Sequence, residues 1–547
     1  MLLNSCGDKR DIVEPIIDPG RDNLVLNAIT LNGKMLGTGL LDVDTAVRIQ
    51  LHFSAPVQTG TLRAVSLTDN QDATVAVTLA LSNSDSVINI RPVNGLSFLT
   101  GYRLSVNSTL RSGSGGHLQN PVSGSFVTKI DSSRKFPALT NDALLDTIQR
   151  GTLNYFLDFA HPVSGLIREG SKHPSNIVTT GGTGFGIMAL LVGIERGFIT
   201  KADGLERIKK IVDFLESKTQ SFHGAYPHWI DGTSGSMIPF SQNDDGADLA
   251  ETAFLVQGLI CVRQYFSGTG AEALLRTSIN KIVDSVEWNW FRQNDRQVLY
   301  WHWSANKGWA MNVKIEGWNE CLVTYVLAAG SKDHAITRSV YDEGWAGSGA
   351  IKNGKTFYNI NLPLGPDYGG PLFFEHYSFM GINPNGLSDA YAHYGAQTRN
   401  HSLINYYHCR TNPGNYFGYS DSVWGLTASN TKKGYAAASP ANDEGFIAPT
   451  AAIASLPYTP AESMAALKFY YYVLGNKLWK KYGFIDAFSL DVLKNDGAWF
   501  DEAFLAIDQG PIIVMLENYR TGLLWRLFMS APEVRMGLQK LGFTFSE

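Results

Sequence analysis

The sequence predicts an all-α domain, built as an (α/α)6 toroid, preceded by a small all-β sandwich domain. Three observations lead to this prediction. The chain has 547 residues, which is too long for one small core. Apolar residues alternate with a period of two as far as about residue 128 and follow helical spacing beyond it. The helical part contains roughly a dozen amphipathic segments, as a ring of six inner and six outer helices requires.

Residues 1–22 are predicted to be the remnant of a lipoprotein signal followed by a tether. Leu3-Asn4-Ser5-Cys6 resembles the end of a bacterial lipoprotein signal, in which the cysteine becomes the lipidated N-terminus. A match this short also arises by chance. The chain contains no run of about 20 apolar residues, so the expected attachment is a lipid anchor. The expected location is the bacterial cell envelope, in the periplasm or on the outer-membrane surface.

Residues 23–130 are predicted to form the β-sandwich. Val47, Ile49, Leu51 and Phe53 alternate with polar residues, and similar runs recur between clusters of turn residues. This pattern is typical of a sandwich of about seven strands. The strings HFSAPV and GYRLSV resemble bacterial Ig-like domains that precede catalytic modules, and the expected role is that of a spacer.

After a linker at 130–137, residues 138–547 are predicted to form the helical domain. No repeat of 34 or 40 residues is visible, which disfavours a solenoid. Long loops rich in Gly, Asn and aromatic residues join the helices, and such loops usually carry function. The main helical segments are expected near 142–158, 184–197, 203–218, 247–266, 270–285, 317–329, 388–407, 460–478 and 508–529, with shorter ones near 334–345, 371–380 and 532–541.

Composition narrows the choice of partners. The net charge of −5 gives no reason to expect nucleic acid as a partner. Cys261, Cys321 and Cys409 lack any metal-ligand spacing and are expected to be buried thiols, so neither a metal nor another cofactor is predicted. The chain is rich in Trp and Tyr, whose flat rings suit sugar faces and protein cores equally well. The expected oligomeric state is a monomer.

The string NDDGADLAETAF, which precedes an apolar helix, is the first acidic station. Asp244, Asp245, Asp248 and Glu251 fall within eight residues, and the i, i+3 spacing of the last two places them on one helical face. Paired carboxylates are what glycoside hydrolysis requires, one as acid and another as base or nucleophile. The alternative is an over-capped helix or a cation loop, although the spacing does not match a calcium-binding loop.

Two further acidic stations begin later helices. Glu320, in IEGWNE, is the second station, and it faces the first across the cavity if alternate helices of a toroid line its centre. Its alternative role is that of a capping-box acid. Asp508, in AIDQGP, is the third station, and there a simple helix cap is the favoured interpretation.

Aromatic and basic residues near these stations are candidates for substrate contact. His228 and His302 are expected to be hydrogen-bonding groups rather than metal ligands. Arg168 is predicted to bind either a sugar hydroxyl or a structural carboxylate. The string GGTGFG at 181–186 lacks the strand that precedes a nucleotide loop and is interpreted as a close-packed helix entry. The full candidate set is Arg168, His228, Trp229, Trp301, His302, Trp309 and Trp318.

Several blocks of sequence, in order, resemble a known family. These are NDDGADLAETAFLVQGL, IEGWNE, GGPLFFEHYSFMGINP, YFGYSDSVWGLTAS and AIDQGPIIVMLENYRTGLLW, spread over residues 140–541. They resemble the glucoamylase-like proteins of Bacteroidetes, which include endo-β-1,2-glucanases and sophorose-releasing relatives. The resemblance implies an (α/α)6 barrel and metal-independent hydrolysis of a glucan with inversion. It assigns the essential acids to Asp244, Asp248, Glu251 and Glu320.

The resulting prediction is an inverting hydrolase of β-1,2-glucan. Glu320 is the expected general acid and Asp248 the favoured base, with Asp508 as the alternative base; Asp248 and Glu251 are expected to act as a coupled pair. Three alternatives stay open: another glucan hydrolase of glucoamylase type, a polysaccharide lyase on the same toroid, and a non-catalytic glycan-binding lipoprotein. A lyase would need a basic cleft for its uronate substrate, whereas this chain gathers acids.

Overall fold

The computed structural model describes residues 22–36, 39–491 and 497–546. The chain divides into two compact units: the first comprises Met1–Asp131 and Val492–Ala498, and the second comprises Ser132–Asp491 and Trp499–Glu547. The predicted lipidation site Cys6 and nearly all of the predicted tether lie outside the described residues. None of the described helices combines the length and the apolar character that crossing a membrane would require.

The first unit is a sandwich of two sheets. The five-stranded sheet has the order β2-β1-β4-β7-β6, and the four-stranded sheet has the order β3-β9-β8-β5. All strand pairs are antiparallel except β3 with β9. The strands are β1 (Leu26–Leu31), β2 (Lys34–Met35), β3 (Leu40–Val43), β4 (Ile49–Phe53), β5 (Val65–Asp69), β6 (Val77–Ser82), β7 (Val87–Pro92), β8 (Gly101–Val106) and β9 (Val122–Thr128).

The alternation seen in the sequence becomes the core of this sandwich. Ile49, Leu51 and Phe53 of β4 are buried between the sheets, while the intervening residues are partly exposed. The equivalent residues of β6 are only half-buried, because β6 is the edge strand of its sheet. An edge strand has a neighbour on one side only, so its apolar face is less completely covered.

The second unit is mainly helical. Its α-helices are α1 (Asn141–Asp158), α2 (Thr180–Glu195), α3 (Lys201–Ser217), α4 (Leu249–Tyr265), α5 (Ala271–Ser285), α6 (Leu322–Gly330), α7 (Tyr394–Thr411), α8 (Pro449–Ala454), α9 (Pro460–Tyr472), α10 (Gly475–Leu478), α11 (Ala506–Thr521), α12 (Leu523–Met529) and α13 (Pro532–Leu541).

Short strands form hairpins and small sheets in the loops between these helices. They are β10 (Ile177–Thr179), β11 (Trp229–Asp231), β12 (Met237–Ile238), β13 (Ala247–Asp248), β14 (His302–Trp303), β15 (Thr356–Phe357), β16 (Ile360–Asn361), β17 (Ala428–Thr431), β18 (Gly434–Ala437), β19 (Trp479–Lys480), β20 (Gly483–Phe484), β21 (Ala487–Ser489) and β22 (Trp499–Asp501).

Four helical predictions were wrong in detail, and one of them, the segment predicted at 460–478, is divided into α9 and α10. The segment predicted at 371–380 contains two short 3-10 turns, and the segment at 334–345 contains only a π-helical turn. The helix predicted at 508–529 is divided by Gly522, whose φ of 68° is left-handed and ends a right-handed helix. The sequence prediction also missed α8, which is only six residues long.

The glycine-rich string at 181–186 begins α2 and allows α2 and α4 to pack closely. A Cβ on Gly184 would lie 2.3 Å from the backbone oxygen of Phe254, and a Cβ on Gly258 would lie 2.4 Å from the oxygen of Gly184. The interpretation of this string as a close-packed helix entry is therefore confirmed.

Four neighbouring helices place their N-terminal ends around the acidic stations. Helix α2 contacts α4 and α11, and α4 also contacts α6. The first station begins α4, Glu320 immediately precedes the first turn of α6, and Asp508 lies in the first turn of α11. Helix N-termini carry partial positive charge, which stabilises nearby anions. The fold thus gathers carboxylates from distant parts of the chain next to positive helix ends.

Candidate active site

Asp248 is the N-cap of α4. Its backbone is extended, with φ −117° and ψ 110°, and its Oδ1 accepts a hydrogen bond from the backbone N–H of Glu251 at 2.9 Å. The Asp248 backbone N–H donates to Tyr226, so the cap is also joined to a neighbouring loop. The alternative role of this acid as a helix cap is therefore real, but it uses only one of the two carboxylate oxygens.

The other oxygen of Asp248 faces two histidines. Its Oδ2 lies 3.3 Å from Nδ1 of His228 and 3.4 Å from Nε2 of His302. Oδ2 of Asp244 lies 3.1 Å from the same nitrogen of His302. Asp248 and His302 are opposite each other in the β13–β14 pair, which explains how residues far apart in sequence meet. The result is a buried cluster of two aspartates and two imidazoles.

Electrostatics make these histidines cations. Burial opposes the charge on His228, but Glu251 and Asp248 outweigh that effect and raise its pKa to about 10. Burial likewise opposes the charge on His302, while Asp244 and Asp248 raise its pKa to about 9. Burial alone would raise the pKa of Asp248, but its hydrogen bonds to the two histidines hold that pKa below the usual range. At neutral pH Asp248 is thus an ionised group between two imidazolium ions.

Glu251 has the opposite character. Its Oε2 accepts the backbone N–H of Gly181 at 2.6 Å and the hydroxyl of Thr179 at 3.3 Å, both at the start of α2. A Cβ on residue 181 would lie 2.6 Å from that same oxygen, so only glycine leaves room for the carboxyl group. Burial, assisted by the charges of Asp248 and Glu169, raises the pKa of Glu251 to about 7.

Glu320 lies in the loop that leads into α6. The residue keeps partial exposure, as contact with a substrate would require. Desolvation by the surrounding protein, with the charges of Asp248 and Glu251, raises the pKa of Glu320 to about 7. A carboxyl group with this pKa holds its proton at mildly acidic pH and can donate it.

Asp508 forms a second carboxyl pair with Asp486. Oδ2 of Asp508 and Oδ1 of Asp486 are both buried and have no conventional hydrogen-bond donor among the described residues, and the two carboxyl groups are close enough to share a proton. The other oxygen of Asp486 accepts the backbone N–H of Asn430 at 2.7 Å. Burial raises the pKa of Asp486 to about 6, and burial with the Asp486 charge raises that of Asp508 well above its usual value.

Two tyrosine hydroxyls are affected by the charges of more than one station. The hydroxyl of Tyr377 has its pKa raised by burial and by the charges of Asp508, Glu320 and Glu251. Tyr435, in the β17–β18 hairpin, is 54% exposed, yet its hydroxyl lies deep enough for surrounding protein and the charges of Asp508 and Glu320 to raise its pKa. The three stations therefore share one electrostatic neighbourhood.

Some of the predicted substrate-contact residues lie beside the first station. The indole of Trp229 makes edge contact with His228 at 6.2 Å between ring centroids, and its buried Nε1 has no hydrogen-bond partner among the described residues. The ring of Trp301 lies nearly parallel to His302 at 6.1 Å. Arg168 is displaced from the acids: its guanidinium lies over Phe159 and donates to the backbone of His173 at 3.3 Å.

Two other residues predicted to contact the substrate, Trp318 and Trp309, pack against other side chains of the protein. Trp318 is 5% exposed and donates through Nε1 to the buried carboxyl group of Glu375 at 2.9 Å. Trp309 packs against Tyr300 and Phe291, at 5.8 and 6.3 Å. The Trp318 ring is buried and therefore not available for direct contact with a substrate, whereas Trp309 keeps partial exposure. A tryptophan near an acidic station gives the same sequence pattern whether it fills the core or contacts a substrate.

Sequence reasoning also missed functional candidates. Glu169 acts electrostatically on Glu251 and on Asp508, although the neighbouring Arg168 attracted the prediction. Asp486 and Tyr435 are isolated in the sequence and carry no recognisable spacing. Only their position in the folded chain identifies them.

One group within the first station has geometry compatible with a cation. His228, Asp244 and Asp248 each offer a ligand atom, and these atoms lie within 4.8 Å of one another. A metal would take the neutral imidazole as its ligand; without a metal, the neighbouring carboxylates raise the pKa of His228 to about 10. In that state the proton on His228 supplies positive charge beside Asp248, and the one on His302 supplies it beside Asp244.

Two family models match separate parts of the chain. The model described as "Putative glucoamylase" matches residues 312–532, and the model described as "Bacterial Ig-like domain" matches residues 30–128. The first range includes Glu320, Asp486 and Asp508. The second lies within the β-sandwich unit.

Characterised proteins show the same relationship. The chain is 44% identical over 425 residues to the exo-β-1,2-glucooligosaccharide sophorohydrolase (non-reducing end) of Parabacteroides distasonis, covering 74% of this chain and 58% of that protein's length. It is 51% identical to the endo-β-1,2-glucanase of Chitinophaga pinensis, solved with sophorotriose and glucose, over 74% of this chain and 99% of that one, with a TM-score of 0.72. A β-1,2-glucanase of Parabacteroides distasonis matches at 36% identity over 96% of this chain and 74% of that chain, with a TM-score of 0.71.

Proposed function

Because the chain belongs to the glucoamylase-like family, whose relatives named above act on β-1,2-glucans, we propose that it is a hydrolase of β-1,2-glucan. The observation that carries the proposal is the gathering of the three acidic stations at neighbouring helix ends: α4 and α11 both pack against α2, and α6, which follows Glu320, packs against α4. A glycoside hydrolase needs one carboxyl group that holds a proton and another that accepts one. A glycan-binding protein has no such requirement.

Glu320 is the general acid in this proposal. Its pKa of about 7 keeps it protonated at mildly acidic pH, and its partial exposure gives a glycosidic oxygen access to it. No cation is paired with it among the described residues, so nothing fixes it in the ionised form. The glycosidic oxygen must be protonated as the bond breaks, because an unprotonated sugar alkoxide is a poor leaving group.

The general base in this proposal is Asp508 rather than Asp248, which reverses the preference drawn from the sequence. Asp248 is held ionised by two imidazolium ions and caps α4, so its affinity for a proton is low. Asp508 and Asp486 are close enough to share one proton, and the singly ionised pair keeps one carboxylate that can accept a proton. A carboxylate with higher proton affinity is the better acceptor of a proton from water.

The first station has a binding role in this proposal. Nδ1 of His302 and Nε1 of Trp229 are buried nitrogens without a hydrogen-bond acceptor among the described residues. Buried donors are normally satisfied, and sugar hydroxyl oxygens are suitable partners. Glu251, which is protonated over part of the neutral range, can donate to or accept from the same sugar.

Two finer features belong to the same proposal. The second unit is an (α/α)6 toroid in which α2, α4, α6 and α11 belong to the inner ring, an arrangement that their mutual contacts and shared N-terminal end support.

The protein is attached to the bacterial envelope by a lipid on Cys6. Incorporation of labelled palmitate into the wild-type protein, but not into Cys6→Ser, tests the anchor.

The test of function is a substrate panel with product stereochemistry. The protein is incubated with β-1,2-, β-1,3- and β-1,4-glucan and starch in the presence of EDTA, and the anomer formed first is identified by proton NMR. We expect cleavage of β-1,2-glucan alone and the inverted α-anomer. Cleavage of starch alone would refute the linkage, a β-anomer would refute inversion, and loss of activity in EDTA would refute metal independence.

A further inference from the structure

The string GGPLFFEHYSFMGINP, at residues 369–384, carries part of the family resemblance but contributes no acid to the three stations. It folds into two 3-10 turns, Leu372–Glu375 and Ser378–Met380. The side chains of Glu375 and Ser378 are both fully buried. Both of them contact the loop that carries Glu320.

Ser378 joins the backbone of Glu320 to the start of α6. Its hydroxyl donates to the carbonyl oxygen of Glu320 and accepts the backbone N–H of Val323 at 2.9 Å. Helix α6 has no side-chain cap of its own, because Cys321 occupies the cap position without such a bond. The N–H groups of a first helical turn need an acceptor, and here a serine from a distant segment supplies it.

Glu375 holds the same loop two residues earlier. Its Oε1 accepts hydrogen bonds from Trp318 Nε1 at 2.9 Å, from Gln397 Nε2 at 2.9 Å and from His401 Nδ1 at 2.7 Å. His401 is fully buried as well and donates its second nitrogen to the backbone of Gly370 at 2.9 Å. The Trp318 ring is therefore held in place by a buried network of hydrogen bonds centred on Glu375.

We propose that Ser378 and Glu375 are positioning residues that fix the carboxyl group of Glu320 for proton donation. This inference rests on the proposed function. One residue acts on the Glu320 backbone and the other on Trp318, so the loop is held on both sides of its reacting group. Among the described residues, neither side chain is hydrogen-bonded to a station carboxyl group; Ser378 contacts only the backbone of Glu320. Misplacement of a reacting group by about 1 Å can cost on the order of 100-fold in rate.

The test separates proton donation from general stability by means of the leaving group. Ser378→Ala is assayed on β-1,2-glucan and on a 2,4-dinitrophenyl glycoside of a β-1,2-gluco-oligosaccharide, whose phenolate departs without a proton. We expect kcat on the glucan to fall about 10- to 100-fold with KM within about twofold, less than complete loss of an acid would cause. We expect the loss on the aryl substrate to be less than about threefold.

The pH profile gives a second measurement that needs no aryl substrate. The groups facing Glu320 are Asp248 and Glu251 on α4, the thiol of Cys321, and the hydroxyls of Tyr377 and Tyr435. None is altered in Ser378→Ala. A loosened loop admits water to Glu320, so the alkaline limb of kcat/KM should move to lower pH.

Matched variants complete the design. Ser463→Ala removes an equally buried serine hydroxyl, bonded to Thr459 at 2.9 Å on α9, and should leave both substrates and the pH profile unchanged. Ser378→Cys keeps a weak donor and should restore part of the activity. Glu375→Gln keeps an acceptor oxygen but loses its charge against His401, so it should show the same pattern with a smaller loss.

Equal losses on the two substrates with an unmoved alkaline limb would overturn the inference and leave Ser378 a structural residue. Glucan activity within twofold of wild type in Ser378→Ala would overturn it as well. A wild-type protein that fails to cleave β-1,2-glucan would instead refute the proposed function, and that result is recognisable before any variant is made.

Discussion

The first and third acidic stations both place an aspartate at the N-terminal end of a helix, Asp248 as the N-cap of α4 and Asp508 in the first turn of α11, yet their carboxyl groups have opposite properties. Asp248 begins α4 between two histidines that hold its pKa below the usual range. Asp508 begins α11 beside another carboxyl group, and its pKa is raised. Two aspartates at helix N-termini thus differ because of what faces their second oxygen. Environment, rather than residue type, divides the work between a fixed anion and a proton acceptor.

The largest expected effect comes from replacing the carboxyl groups that exchange protons, those of Asp508 and Glu320. Asp508→Asn and Glu320→Gln should each lower kcat on β-1,2-glucan by about 10²- to 10⁴-fold, because the amides keep the shape but cannot accept or donate the proton. Initial rates on purified, folded variants provide the measurement. Either variant retaining most of its activity would remove that residue from the mechanism.

A smaller effect is expected at the first station. Asp248→Asn should raise KM more than it lowers kcat, because the change weakens the two histidinium ions that bind substrate. Glu251→Gln should lower activity too, and the double variant should lose less than the product of the two single losses, since both groups share one helical turn. Multiplicative losses would show that the two acids act independently.

The charge on the histidines predicts a pH dependence of stability. The folded-state pKa of His302 is about 9, above its ordinary value of 6.5. Its stabilising contribution is therefore fully present below pH 6.5 and is lost as the pH rises through 9. The free energy of unfolding, measured with urea, should fall less steeply between pH 6.5 and 9 in His302→Gln than in the wild type. Parallel curves for the two proteins would contradict the charged state.

The smallest effect is expected from removing the β-sandwich. A chain that begins at Ser132 keeps every residue of the three stations. Its kcat/KM on soluble β-1,2-glucan should stay within about twofold of that of the full chain. Loss of a general acid or base would instead cost about 10²-fold or more. A soluble, helical, inactive product would indicate that the sandwich contributes to the reaction.

Sequence patterns revealed what is local and missed what is assembled. The first station and Glu320 were recognisable because acids cluster or precede an apolar helix. The β4 alternation and most long helices were equally readable, since their periods are fixed by geometry. Asp486 and Glu169 were invisible, because their roles arise from partners in other segments. Trp318 was misassigned for the same reason: its partner Glu375 lies in a different turn.

The glycines that begin α2 limit how this protein can be engineered. Replacing glycine with alanine inside a helix ordinarily stabilises a protein by about 0.5–1 kcal/mol, and the string at 181–186 invites that change. A methyl group at Gly181 would collide with the Glu251 carboxyl group, and one at Gly182 would lie 2.6 Å from the Cβ of Ala506 at the start of α11. Glycine-to-alanine substitutions that stabilise exposed helices would here push Glu251 and the start of α11 out of position. We therefore expect such substitutions in this part of α2 to lower activity.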